Sequence, residues 1–275
     1  MKLLKLWRNP NPEVSLIDPD TRVRMMNELE ILKENERIDD LEINGFRIIQ
    51  NPFSFCFGMD SVLLSDFISI KPSSKVLDLG TGTGIIPLLL AAKGKGKDWT
   101  GLEIQPDMAE MAGRSVELNG IQDTCRIIQG DLRNIREMFQ QGSFDAVTSN
   151  PPYMKEGSGL RNPEDSKYIA RHEVTATLED VVSAAAYLLK TRGSFNMVHR
   201  PSRLAEIIEM LCRYNLEPKR MRLVQPTAEK PANMVLIEAV KEAGQEMKVL
   251  PTIIVYGEDG EYTRDILEIY GKLNQ

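Results

Sequence analysis

From residue 75 onward, short apolar runs alternate with segments whose apolar positions recur every three or four residues. Short runs of this kind read as buried strands, and the wider spacing reads as helices. The pattern predicts strands at Lys75–Leu79, Trp99–Ile104, Cys125–Gln129, Phe144–Ser149, Ser194–His199, Met221–Gln225 and Met234–Val240. Between them it predicts helices at Ile85–Lys93, Pro106–Asn119, Leu132–Phe139, Leu178–Lys190 and Pro201–Tyr214. The fourth of these carries Leu178, Val181, Val182, Ala185, Leu188 and Leu189 on one side; the fifth carries Leu204, Ile207, Ile208 and Leu211. Strands and helices alternating in this way predict an α/β fold with a parallel, doubly wound sheet.

The first 72 residues follow a different pattern. Pro10, Pro12 and Pro19 break any early helix, so residues 1–35 are expected to be a partly flexible extension ending in a short helix. Leu41–Asn51 is expected to form two short strands around Asn44-Gly45, a dipeptide suited to a tight hairpin turn. Met59–Ile68 is expected to be a helix. The domain reading is therefore an extension over 1–35, a hairpin and helix over 36–72, the alternating domain over 73–245, and a strand and helix over 246–275. No internal repeat interrupts this order.

Composition narrows the class. With 275 residues, 42% hydrophobic and 27% charged, the chain can bury a full core. Its three cysteines, Cys56, Cys125 and Cys212, lie far apart with no paired histidines. That excludes a disulfide scaffold, predicts no metal site, and fits a reducing cytoplasm. No apolar run approaches the roughly 20 residues of a membrane span, and no signal peptide is expected. The net charge of −6 argues against a surface built for indiscriminate nucleic-acid binding. The charge is uneven, however: residues 151–223 carry +3 and the remainder −9.

The first candidate for chemistry is Asp78-Leu-Gly80-Thr81-Gly82-Thr83-Gly84, between a predicted strand and helix. Glycines there allow a tight turn and let a ligand approach the backbone. The dinucleotide pattern G-x-G-x-x-G is not met, because Ile85 stands where its third glycine would be. Asp78 would repel a pyrophosphate but suit a cationic amino acid. This favours S-adenosyl-L-methionine, which is positively charged and carries no phosphate, over a nicotinamide dinucleotide. Glu103 ends the next strand, 19 residues after Gly84, where a carboxylate can accept from a ribose diol. Asp131 follows the third strand and is placed to accept from an adenine amino group. Ile104 and Leu132, next to these acids, complete the expected cofactor set along the strand ends.

The second candidate is Asn150-Pro151-Pro152-Tyr153, after the fourth strand. An exocyclic amine on a ring is a poor nucleophile, because its lone pair is delocalised. Two acceptors that bind its N–H groups turn the lone pair toward a methyl donor. The Asn150 side-chain oxygen and the Pro151 carbonyl can serve as these acceptors, with the prolines stiffening the corner. Tyr153 offers a face for stacking the base, worth about 1–3 kcal/mol. Asn150 also lies close enough in the chain to the strand end to touch the cofactor.

With both motifs in hand, residues 75–153 resemble a class I S-adenosylmethionine-dependent methyltransferase that modifies amines. The wider pattern, from Glu36-Arg-Ile-Asp-Asp-Leu and Phe55-Cys-Phe-Gly-Met-Asp60 through Asn150–Tyr153, is similar to the bacterial tRNA1(Val) (adenine-37-N6)-methyltransferase family over residues 36–255. The resemblance implies a Rossmann-like, seven-stranded, mostly parallel sheet with an antiparallel last strand. It implies N6-methylation of the adenine beside the anticodon, with tRNA as partner and no membrane. It also implies that Phe57 and Asp60 lie in an element closing over the cofactor. Residues 1–24 depart from the family's compact start.

Lys155, Arg161, Lys167, Arg171 and His172 follow the asparagine–proline corner, and Arg200 and Arg203 flank the start of a later helix. Sharing one edge of the sheet, they are the expected phosphate-binding rim. His199, ending a buried strand, is expected to be structural, and Met108 and Met111 are expected to fill core. Three rivals stand beside the tRNA reading. A glutamine-N5 methyltransferase would use the same corner, yet such release-factor enzymes carry a larger helical N-terminal domain. A guanine-N2 methyltransferase of ribosomal RNA is nearer in chemistry, though those enzymes are often duplicated. A non-enzymatic RNA-binding module would not need both motifs intact. The chain is expected to act in the cytoplasm as a monomer or weak dimer.

Overall fold

The computed structural model describes residues 31–53, 56–151 and 176–272. A small hairpin of β1 (Arg37–Asp40) and β2 (Arg47–Gln50) leads to α1 (Met59–Phe67). The alternating unit follows: β3 (Lys75–Leu79), α2 (Ile85–Ala92), β4 (Asp98–Glu103), α3 (Pro106–Leu118) and β5 (Cys125–Gln129). Next come a 3-10 turn (Leu132–Asn134), α4 (Ile135–Met138), β6 (Phe144–Ser149), α5 (Leu178–Leu188) and β7 (Leu189–His199). A second 3-10 turn (Pro201–Arg203), α6 (Leu204–Arg213), β8 (Leu216–Gln225) and β9 (Met234–Lys241) complete the long elements. Two short strands, β10 (Lys248–Val249) and β11 (Ile253–Ile254), and α7 (Arg264–Ile269) close the described chain.

The sheet runs β10-β8-β9-β7-β6-β3-β4-β5, with β11 also on β8. β9 is antiparallel to β7 and β8; the other pairings in the sheet are parallel. The seven long strands therefore have the expected Rossmann-like arrangement, and the antiparallel strand is the last of the seven. From β3 the chain moves outward to β4 and β5, then returns to the opposite side of β3 as β6. This reversal opens a crevice at the carboxyl ends of β3 and β6, where ligands bind in such sheets.

Alternation along each strand feeds two cores. Val76 and Ala146 face a cluster with Val62, Leu64, Leu88 and Ile266, drawn from α1, α2 and α7. Leu77 and Val147 face the other way, onto Val181, Val182, Ile207 and Leu211 of α5 and α6. α5 starts at a capping box, in which Thr177 accepts from the Asp180 backbone and the Asp180 side chain accepts from Thr177. Met108 and Met111 are buried with Ile49, as core filler should be. The hairpin is tied to α3: Ile49 N donates to Ser115 Oγ at 3.0 Å, and Arg47 N donates to Asn119 Oδ1 at 2.8 Å.

Some boundaries differ from expectation, each for a physical reason. The first hairpin strand is Arg37–Asp40, upstream of Leu41. The Asn44-Gly45 turn is present with both residues at positive φ, but Glu42 is also left-handed (φ 56), which ends the ladder at Asp40. The predicted helix Leu132–Phe139 splits into a 3-10 turn and a single α turn, because the Asp131 side chain accepts from Arg133 N and tightens the start. β7 begins at Leu189 and β8 at Leu216, both five residues early. In β7 the extra pairing is Phe144 with Leu189, before a register shift. The single late strand expected after residue 246 is two strands of two residues, divided where Pro251 cannot donate to a ladder. Among the described residues, no helix is long and apolar enough to cross a membrane.

Candidate active site

The glycine turn and the asparagine corner are held against each other by the sheet itself. Leu79 pairs with Ser149 across β3 and β6, and buried Ser149 donates its hydroxyl to Leu79 O at 2.9 Å. Each strand then leaves the sheet into its motif: Gly80 after one, Asn150 after the other. Gly80, Gly82 and Gly84 all take positive φ, which is why side-chain-bearing residues are not used there. The turn lies close over β4. A Cβ on Gly101 would stand 2.7 Å from the Thr81 side chain, so β4 must be bare at that point.

Glu103 is the strut of the turn. It is 4% exposed and accepts from Gly82 N at 2.8 Å through Oε2 and from Gln105 N at 3.0 Å through Oε1. Each oxygen retains a second lone pair in the plane of the carboxylate, the geometry a vicinal diol requires. A cleft beside it is lined by Gly80, Leu102, Ile104, Gly130, Asp131 and Leu132, with Ala176 at its edge. Sequence reasoning placed Gly80, Ile104, Asp131 and Leu132 there and missed Leu102, Gly130 and Ala176. Leu102 is an ordinary buried strand residue by pattern, and only the fold shows that it forms a wall.

Asp78 does not stand on the surface of the turn as a solvated anion. It is 1% exposed; Oδ1 accepts from Thr148 Oγ1 at 2.6 Å, and Oδ2 is buried without a partner among the described residues. Burial pushes its carboxyl up to about 7, against the opposing pull of the Thr148 and Thr81 hydroxyls. Thr83 Oγ1 is also buried without a partner among the described residues. Orphaned acceptors beneath a glycine turn, next to an apolar-walled cleft with a carboxylate at its rim, fit S-adenosylmethionine. Its cationic amino-acid end suits Asp78, its ribose suits Glu103, and its adenine suits Leu102, Ile104 and Leu132. A pH effect follows. Folded Asp78 holds a proton up to about pH 7, whereas an unfolded aspartate loses it near pH 4. Stability from this group is thus complete below about pH 4 and is lost as pH rises to about 7. Urea unfolding of wild type and Asp78→Asn at pH 5 and 7.5 should show wild type losing ground to the variant at the higher pH; parallel curves would refute the buried-carboxyl assignment.

The remaining expected residues are distributed as follows. Both Asp131 oxygens accept from Arg133, so the adenine amino group expected there meets a carboxylate already engaged. That pairing holds the carboxyl below its usual range, the Arg133 hydrogen bond being the largest cause. Phe57 and Asp60 sit at the start of α1 and are not among the residues lining the cleft. Phe57 N donates to Oε1 of buried Gln50 at 2.9 Å, a support that no sequence signal announced. Arg203 is paired with Glu206 and its side chain is largely covered. Exposed Arg200 donates to Asn233 O at 3.1 Å. His199 is buried, its Nδ1 accepts from Arg200 N at 2.8 Å, and burial lowers its pKa to about 4, the structural role expected of it. Pro152, Tyr153, Lys155, Arg161, Lys167, Arg171 and His172 lie outside the described residues. Among the described residues, no cluster of ligating side chains could hold a metal.

The asparagine corner completes the geometry. Asn150 Nδ2 donates to Ser61 Oγ of α1 at 3.2 Å, and Pro151 is buried. The fold is that of a class I, S-adenosylmethionine-dependent methyltransferase. A methyltransferase-domain family model matches residues 76–158. The crystal structure of a predicted O-methyltransferase from Agrobacterium tumefaciens superposes with a TM-score of 0.62 at 22% identity, covering 78% of this chain and 96% of that one. Several curated homologues are named tRNA1(Val) (adenine(37)-N6)-methyltransferase. The protein from Porphyromonas gingivalis is 28% identical over 84% of this chain and 93% of its own length. That from Bacteroides fragilis is 26% identical over 84% of this chain and 98% of its own length.

Proposed function

We propose that the chain methylates N6 of an adenine in tRNA, and specifically the adenine 3′ of the anticodon, position 37, of tRNA1(Val). The observation that carries this reading is the seating of Asn150 beside the glycine turn, within a chain that aligns over most of its length with enzymes of that name. S-adenosylmethionine, when bound, supplies a methyl carbon made electrophilic by its sulfonium. The protein's own task is to present the amine. The Asn150 side-chain oxygen and the Pro151 carbonyl accept its two N–H bonds, drawing the nitrogen out of conjugation and aiming its lone pair along the line of transfer. Holding nucleophile and methyl carbon in line supplies much of the rate. No ionised base is required before attack, since the proton leaves after the nitrogen becomes cationic.

An anticodon loop suits this site, because its bases are unpaired and can be splayed into a pocket at small cost. Arg200, which follows the carboxyl end of β7, contributes to the phosphate rim. The enzyme acts in the cytoplasm. Incubation with labelled methyl donor and unmodified tRNA, ribosomal RNA or release factor, followed by mass analysis, should give N6-methyladenosine in tRNA at position 37. Label confined to guanosine or glutamine would replace the substrate and keep the chemistry.

A further inference from the structure

A line of contacts runs from the N-terminal hairpin to the asparagine corner. Alternation along β1 sets Arg37 and Asp39 on one face, and Gln50 of β2 stands opposite Arg37. Gln50 is 2% exposed. Its Nε2 donates to Asp39 Oδ2, and its Oε1 accepts from Phe57 N at 2.9 Å. Arg37 Nε and Nη2 donate to the same Asp39 oxygen at 3.1 and 3.0 Å, so Asp39 is an ionised acceptor. A backbone N–H can only donate. Set between an acceptor and a donor, the Gln50 amide has one orientation. A glutamate in its place would set a second carboxylate against Asp39.

We infer that Gln50 is a positioning residue: clasped to Asp39, it fixes the entry to α1 and so holds the first turn of that helix against Asn150. The anchor is firm, because β2 is itself bonded to α3 through Ile49 N to Ser115 Oγ and Arg47 N to Asn119 Oδ1. Beyond Phe57 only Gly58 precedes the helix, and this N-cap glycine has no side chain with which to cap it. Asp60 Oδ1 accepts from Ser61 N at 2.9 Å, which tightens the turn without tying it to the hairpin. Ser61, in that turn, lies with its Oγ 3.2 Å from Asn150 Nδ2. The far end of α1 is held separately. Lys95 Nζ donates to Ser65 O, Asp66 O and Ile68 O at 2.9, 2.6 and 2.7 Å, and Arg220 donates to Phe67 O at 3.1 Å. With that end fixed, the clasp sets where the near end meets the corner. This rests on the reading of Asn150 as the group that presents the target amine.

The discriminating experiment compares wild type, Gln50→Glu, Asp39→Asn and the double variant in the full chain, each assayed well below its melting temperature. The charged groups at the clasp are Asp39 and Arg37, with Cys56 close to Arg37, while α3 meets β2 through uncharged Met108, Met111 and Ser115. Two carboxylates at hydrogen-bond distance cannot both ionise without cost. At pH 8 Gln50→Glu should therefore lower kcat on tRNA about tenfold, the scale of one lost hydrogen bond to a charged group, with S-adenosylhomocysteine affinity within about threefold. As pH falls to 6 a shared proton restores a donor between the two oxygens, and the ratio of variant to wild-type kcat should climb at least about threefold. Adding Asp39→Asn gives the new carboxylate an amide to accept from and should bring kcat at pH 8 back to within about threefold of wild type. A wild-type kcat in Gln50→Glu, a ratio that ignores pH, or a loss that Asp39→Asn leaves in place would overturn the assignment. A second variant and readout need neither the charge nor a substrate. In Gln50→Met, which keeps the length without the hydrogen bonds, solvent exchange of the Phe57 amide should quicken at least about tenfold; unchanged exchange would also overturn it. Failure of wild type to methylate tRNA would count against the substrate alone, and the amide readout would still decide what Gln50 holds.

Discussion

Asn150→Ala should reduce kcat on tRNA by about 10²–10³-fold, the range seen when one preorganised hydrogen-bonding group is removed from a transition-state site. S-adenosylhomocysteine affinity should change by no more than about twofold, and the melting temperature by a few degrees at most. The separation follows from where the residue sits. Asn150 leaves β6 beyond Ser149, whose hydroxyl is already bonded to Leu79 O, so the strand end survives without the amide. The cleft walls of Leu102, Ile104 and Leu132 do not include it. On the proposed reading, what is lost is the acceptor that rotates the amine lone pair out of the ring. Single-turnover methylation with saturating donor, set against calorimetric titration of the demethylated product, makes the measurement. A matched fall in both would show that the residue holds the cofactor and does not orient the target.

Glu103→Ala should produce the opposite split. Its carboxylate accepts from Gly82 N and Gln105 N, so removal frees the turn and leaves two part-buried N–H groups without their acceptor. We propose that the same oxygens also hold the ribose diol of the donor. Hydrogen bonds to a charged group contribute about 1.5–3 kcal/mol each. Losing two should weaken donor affinity by at least about 100-fold, with a lower melting temperature besides. At donor concentrations high enough to compensate, kcat should recover most of its value, because nothing at Asn150 or Ser61 has changed. Calorimetry and donor-dependent kinetics read this directly. A loss of tenfold or less in affinity, with the melting temperature reduced, would make Glu103 a strut of the fold and not a ligand of the ribose.

Most of the strand and helix positions were legible because they depend on short-range pattern. Lys75–Leu79 and Phe144–Ser149 are bounded by glycine or polar residues and are buried on both faces, so their apolar runs are unambiguous. Boundaries went astray where backbone conformation or pairing overrode pattern. Left-handed Glu42 moved the hairpin, and pairing of Phe144 with Leu189 extended β7 backward. The site followed the same rule. The glycine turn, Glu103 and Asn150 were visible because each is a short motif or a polar residue at a strand end. Ser61, Gln50 and Leu102 were not, because serine, glutamine and leucine at those places differ in no local way from hundreds of ordinary ones.

Sequence by itself determined the α/β alternation, the asparagine–proline corner at the end of β6, and the glycine turn with Asp78 before it and Glu103 on the next strand. These are local because φ, burial pattern and side-chain chemistry are set within a few residues. Only the tertiary structure decided that Asp78 is a buried carboxyl and not a surface anion, that Asp131 is engaged by Arg133, and that Ser61 meets the Asn150 amide. Each of these depends on which atoms lie within about 3 Å across the fold, a distance that dictates desolvation and hydrogen bonding. Residues 61 and 150 are neighbours only after β3 and β6 have paired and α1 has packed beside them.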